Sequence, residues 1–154
     1  MKEKYMKSMG YTAYKDSETH FTDNKGKILS LLFEGAIRFT RFAMMGMEKA
    51  DPRIKGENIS KVLAILTELD CALDHDQDKT LADNLNELYQ YMMKRLTQAN
   101  FYNEQKALIE VNQLLSELKD SFDRAIDSIA VEMESKKLTS EKKNDSADKV
   151  SLAI

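Results

Sequence analysis

A chain of 154 residues is long enough for one domain around one core. With 42% hydrophobic and 32% charged residues, one Pro and five Gly, it lacks the turn residues a sheet protein needs and reads as all-helical. A net charge of −3 offers no dominant basic patch, so nucleic acid is not an expected partner, and no apolar run approaches the ~20 residues of a membrane span, so membrane insertion is not expected. The opening MKEKYMKSMGYTAYKD has no apolar signal-peptide region, and Cys71 stands alone, so a reducing cytoplasm is the expected setting. Nine Met and no Trp suit an adaptable contact surface.

Residues 1–22 are polar with scattered aromatics, Tyr5, Tyr11, Tyr14 and Phe21, and read as a mobile tail. The first helix is predicted from an Asn24 cap to about Ala50, where Asp51-Pro52-Arg53 breaks it. A second follows from Glu57 to Leu73, then a charged loop, Asp74 to Lys79. The third runs from Leu81 to Ala99, capped by Asp78 or Thr80, with Asn100 closing it. The fourth runs from Glu104 to Lys137. The remainder, 138–154, is rich in Lys, Ser and Asp and reads as a disordered tail. Four helices on short loops over 23–137 predict an antiparallel up-down four-helix bundle.

Stepping ~100° per residue from Ile28, the first helix is apolar over roughly 240°, where one core-facing side needs little more than ~100°. Leu31, Leu32, Phe39 and Phe42 cluster near Ile28, and Phe33, Ala36, Ile37, Ala43 and Met44 spread round one side. The polar remainder includes Ser30, Glu34, Arg38 and Arg41, with Met45 intruding. Gly35 and Gly46 fall on the inner side, and a mid-helix Gly costs about 1 kcal/mol against Ala, so each calls for a packing reason. The fourth helix, with Leu108, Val111, Leu115, Leu118 and Phe122 in an arc of roughly 120°, is an ordinary one-faced helix by comparison. Either two neighbours bury the wide face of the first helix, or it lines a groove.

The third helix has a core stripe through Leu85, Tyr89, Met92 and Leu96. Asn84, Tyr91 and Arg95 share one flank. They can hold an incoming segment, or satisfy groups within the bundle. Asp74, Asp76 and Asp78 beside His75 lack the glycine and closing glutamate of a calcium loop and read as a solvated turn, so no metal site and no cofactor are expected. Cys71 reads as a helix filler, and no convergent catalytic set marks an enzyme.

Two segments carry a resemblance. Leu32-Phe33-Glu34-Gly35-Ala36-Ile37-Arg38-Phe39 is similar to the L-Y-D-G-A-I-R-F of the bacterial flagellin-specific export chaperone family. Asn84, Leu85, Leu88, Tyr89, Tyr91, Met92, Arg95, Leu96, Ala99 and Asn100 match its N-L-x-x-L-Y-x-Y-M-x-x-R-L-x-x-A-N. Tyr11 and Tyr14 match a Y-x-x-Y tail, and Leu114, Leu115, Leu118 and Phe122 follow its L-L-x-x-L-K/R-x-x-W. The likeness spans about residues 9–126. Three places depart from it. Asn24-Lys25-Gly26-Lys27 stands where Ser-Pro-Glu/His-Lys is usual, losing the first-turn Pro. Phe33 replaces Tyr and Phe122 replaces Trp, so neither can offer the hydrogen bond of its usual counterpart.

The resemblance implies a cytosolic, non-enzymatic chaperone. It would bind the C-terminal segment of flagellin, prevent premature polymerisation and hand it to the type III flagellar export gate. A client helix would lie in a groove, with Phe33, Ile37 and Met44 giving apolar contact and Asn84, Tyr91 and Arg95 positioning groups. Tyr11 and Tyr14 would cover the groove in the free protein. Two other readings stay open: a regulatory protein sequestering a flagellar transcriptional inhibitor, or a bundle that self-associates as a homodimer through its spare face.

Overall fold

The computed structural model describes the backbone of residues 2–151 and the side chains of residues 24–145. It contains four helices: α1 (Lys2–Glu48), α2 (Pro52–Cys71), α3 (Lys79–Tyr102) and α4 (Gln105–Ser151). No strand occurs among the described residues. The chain forms two compact units, residues 1–120 and 121–154, and the bundle lies in the first.

The four helices form the expected antiparallel up-down bundle. α2 packs against both α1 and α3. The start of α4 meets the end of α1, where Gln105 Nε2 donates to Glu48 Oε1 at 3.2 Å. Further along, Asn112 Nδ2 donates to the Ile37 carbonyl at 3.0 Å. α3 is tied to α4 by Arg95 and Glu110 at 2.7 Å. The core fills from all four helices, with Phe33, Ile59, Leu66, Tyr89, Leu96 and Leu108 among its largest buried side chains. Its polar members are satisfied: Thr40 Oγ1 donates to the Ala36 carbonyl at 2.8 Å, and Asn58 Nδ2 to the Ile54 carbonyl at 2.8 Å. Burial, helped by the nearby Asp70 charge, pushes the Tyr89 phenol up to about 12.

The helix ends follow local chemistry. Ala50 closes α1 in the left-handed region at φ 52°. Its N–H donates to Met47 O and that of Asp51 donates to Gly46 O, a Schellman closure. The Asp51 carboxylate accepts from the N–H groups of Arg53 and Ile54, and Pro52 occupies the first turn of α2. α2 therefore begins at Pro52 rather than Glu57: a proline that cannot sit inside a helix suits its first position. Asp78 caps α3, its carboxylate accepting from Leu81 N at 3.0 Å. α3 ends one turn later than Asn100, at left-handed Asn103 (φ 55°), because asparagine tolerates that conformation at either position. Lys55 Nζ braces this end of α3, donating to the Asn100 carbonyl at 3.0 Å and to Asn103 Oδ1 at 3.2 Å.

Asn24 does not start α1, which carries helical backbone from Lys2. Helical backbone likewise continues past Lys137 to Ser151. The side chains of Tyr11 and Tyr14 lie outside the described residues. In the second unit, the described side chains from Ser128 to Asp145 are exposed, with a surface pair between Lys136 and Glu132 at 2.9 Å.

Gly46 has the packing reason its position calls for. A Cβ there would lie 2.5 Å from Lys55 N and 3.0 Å from Lys55 Cα, backbone that cannot step aside. Gly46→Ala is expected to cost about 1–3 kcal/mol of stability, read as a lower urea midpoint with unchanged slope.

Candidate partner-binding surface

The wide apolar arc of α1 divides in two. Phe33, Ala36, Ile37, Thr40 and Ala43 point into the core. On the opposite side Ile28, Leu31, Phe42 and Met45 stay 58%, 65%, 40% and 44% exposed. These outward residues fall on two seven-residue series. Ile28, Gly35 and Phe42 form one, and Leu31, Arg38 and Met45 the other. They are interleaved as positions a and d of a heptad, a seam about 27 Å long at 1.5 Å per residue. Half-buried Phe39 borders the seam. Arg38 Cζ lies 5.3 Å from its ring centroid and Lys61 Nζ, reaching over from α2, lies 5.1 Å away.

The sequence-predicted contact residues divide differently. Phe33 and Ile37 lie inside the bundle, not on its outer face, because the packing of α2 and α4 turns that side of α1 inward. Met44 is half-buried beside them. The outward seam belongs instead to the Ile28 cluster, and its heptad spacing was the available signal. Asn84 is exposed near the start of α3, apart from the other two members of its flank.

Tyr91 and Arg95 converge on Glu110 of α4. The Tyr91 hydroxyl donates to Glu110 Oε1, and Arg95 Nε donates to Glu110 Oε2 at 2.7 Å. Arg95 Nη1 also donates to Gln98 Oε1 at 3.0 Å and lies 3.5 Å from Glu104. The donated Tyr91 hydrogen bond, then that of Arg95, holds the Glu110 carboxyl below the usual carboxylate range. The same bond raises the Tyr91 phenol. Beyond this network, Phe101 and Tyr102 stand exposed at the end of α3, their rings edge to face at 4.9 Å.

Among the described residues no three His, Cys, Asp or Glu side chains gather to hold a metal ion. His75 Nδ1 lies 3.1 Å from Asp83, which also receives Lys79 Nζ at 2.8 Å, and Asp74 caps its own turn by accepting from Asp76 N and Gln77 N. Cys71 is exposed at the end of α2. No helix is long and apolar enough to cross a membrane among the described residues.

A bundle with an unspent apolar seam and a polar clamp between α3 and α4 has the design of a protein-binding helical domain. The family described as Flagellar protein FliS matches residues 6–129, and the chain belongs to that family. The flagellar secretion chaperone FliS of Bacillus subtilis is 32% identical over 118 residues, covering 77% of this chain and 86% of the relative. The flagellar secretion chaperone FliSB of Pseudomonas aeruginosa is 35% identical over 119 residues, covering 77% and 94%. The Salmonella typhimurium chaperone is 37% identical over 97 residues, covering 62% and 72%.

The Glu110 clamp has a pH signature. Its folded pKa lies below the unfolded value, so the clamp stabilises fully above the ordinary glutamate range, about 4.3. That stability is lost as pH falls through the lower folded pKa. The urea midpoint of Glu110→Gln is expected to lie below that of the unaltered protein at pH 7, and the two are expected to converge as the pH falls below about 4.

Proposed function

We propose that this protein is a cytoplasmic export chaperone. It binds the C-terminal segment of flagellin, keeps it from polymerising, and delivers it to the flagellar type III export gate. Relatives named flagellar secretion chaperones, alike over most of the chain, support the class. The single observation carrying the binding mode is the outward seam of α1, with four large apolar side chains held out of a core that is already filled.

The mechanism is stoichiometric binding. A secreted subunit must remain unassembled before export, and covering the helix-forming segment that drives assembly achieves this. Ordering a flexible client costs conformational entropy, so the contact needs a long apolar face to offset it. Ile28, Leu31, Phe42 and Met45 supply that face, with buried Phe33 and Ile37 and half-buried Met44 supporting it from beneath. On α3, Tyr91 and Arg95 are held in place by Glu110, ready to meet polar groups of a longer client, and Asn84 extends that flank. Covering of the seam by Tyr11 and Tyr14 before a client arrives requires the backbone ahead of Asn24 to leave the α1 helix and fold back, and that reversal is part of the proposal.

Calorimetric titration with the flagellin C-terminal peptide of the same cell tests the reading. A tight one-to-one complex with a large negative heat-capacity change is expected. Leu31→Ser is expected to weaken it by about 10- to 100-fold with little change in melting temperature, as befits a side chain 65% exposed in the free protein. Absence of heat at two temperatures, with no complex on gel filtration, would exclude this client. Removing residues 1–16 is expected to tighten peptide binding; unchanged affinity would exclude the covering role of Tyr11 and Tyr14.

A further inference from the structure

α3 carries a second heptad series that the bundle leaves partly open. Leu81, Asn84, Leu88, Tyr91, Arg95 and Gln98 alternate by three and four residues along it, and Tyr102 closes the series. Leu81 at one end is more than half exposed, as are Phe101 and Tyr102 at the other. Between them Asn84 and Tyr91 are exposed, and Leu88 and Gln98 are half-buried. The face is about 32 Å long at 1.5 Å per residue, apolar at both ends and polar between.

Two charges on the outer flank of this series are unused. Glu87 and Lys94 are both exposed, and neither has an ion pair or a side-chain hydrogen bond among the described residues. Seven residues apart, they share a flank but lie about 10 Å from each other along the axis, too far to pair. An acid and a base so placed are complementary to their own copy turned end for end. A two-fold axis across α3 near Tyr91 brings Glu87 of each copy to Lys94 of the other. The same operation lays Leu81 on Phe101 and Tyr102 of the second copy, Asn84 beside its Gln98, and Leu88 beside its Tyr91. Like charges on α3 stay apart, since Lys79 falls near Tyr102 of the second copy and Asp83 near its Gln98. Parallel pairing sets Glu87 on Glu87 and Lys94 on Lys94, and that repulsion rejects it.

We infer that two copies of this chain pair antiparallel along α3. The dimer is isologous, held by two Glu87–Lys94 contacts and closed at each end by Leu81 against the Phe101–Tyr102 aromatic pair. This face is separate from the outward seam of α1. Pairing withdraws Asn84, Tyr91 and Arg95 from solvent. If those groups meet a client, as the proposed function has it, a second copy and that part of the client exclude each other; the pairing itself does not rest on that reading.

Sedimentation equilibrium of the full chain over a range of concentrations tests the inference, with circular dichroism to check that each variant keeps its helices. The unaltered protein is expected to form a reversible dimer of the 17.7 kDa chain. Glu87→Lys and Lys94→Glu are each expected to weaken pairing by about tenfold or more, because each sets like charges together at both contacts. Mixing the two single variants is expected to recover the dimer, and so is the double variant Glu87→Lys/Lys94→Glu, since opposite charges meet again in both. A monomer at every concentration up to the solubility limit would overturn the inference. So would a dimer indifferent to both single variants, or one dissolved by Leu31→Ser on α1, because the contact would then lie elsewhere. Weakening by the single variants with no recovery in the mixture or the double variant would overturn the antiparallel arrangement.

Discussion

The close approach of α1 and α2 at Gly46 fixes the rest of the bundle. With no Cβ on Gly46, the backbone at Lys55 comes within a distance no side chain would allow. That contact sets where α2 begins along α1, and the Asp51 cap holds it there. Lys55 is then placed so that its ammonium reaches the carbonyl of Asn100 and the side chain of Asn103, which sets α3 against α2. Gln105 completes the end of the bundle by reaching back to Glu48. With all four helices registered at one end, the rotation of α1 about its own axis is no longer free. Phe33 and Ile37 must turn inward, and Leu31 and Phe42 must turn outward.

This dependence explains what was legible in the sequence. Helix number and antiparallel order follow from periodicity and short loops, which are local properties. The excess apolar width of α1 was legible too: neighbours bury one part of it, and another part faces solvent. Which part does which was not legible, since a single helix carries no information about the direction of its neighbours. Phe33 and Ile37, which the resemblance assigns to client contact, build the core. The helix boundaries that shifted did so where one residue type has two uses. Pro52 ends one helix and begins the next, and Asn100 and Asn103 compete for the same cap.

The α3 flank shows the same limit. Tyr91 and Arg95 share a face because of their spacing, but their partner Glu110 lies on another helix and is known only from the fold. The two alternatives for this flank are compatible. A carboxylate that fixes a phenol and a guanidinium also orients them, leaving Tyr91 42% exposed and its ring available. Asn84 shares the spacing but not the partner.

The charge within the seam bears on why such a face can remain open. Bare heptad seams pair with copies of themselves, and an apolar surface of this length would invite that outcome. Arg38 occupies one of the six seam positions. Parallel pairing of two copies would place Arg38 directly against Arg38. Antiparallel pairing would set each Arg38 opposite Gly35, with the two guanidinium groups within about one turn of each other and no acidic residue at the six seam positions, Glu34 lying on the flank. Desolvating like charges opposes both arrangements. The same arginine favours a partner that brings its own carboxylate. A single cation on an otherwise apolar stripe thus disfavours pairing of two copies relative to a helix that brings a carboxylate.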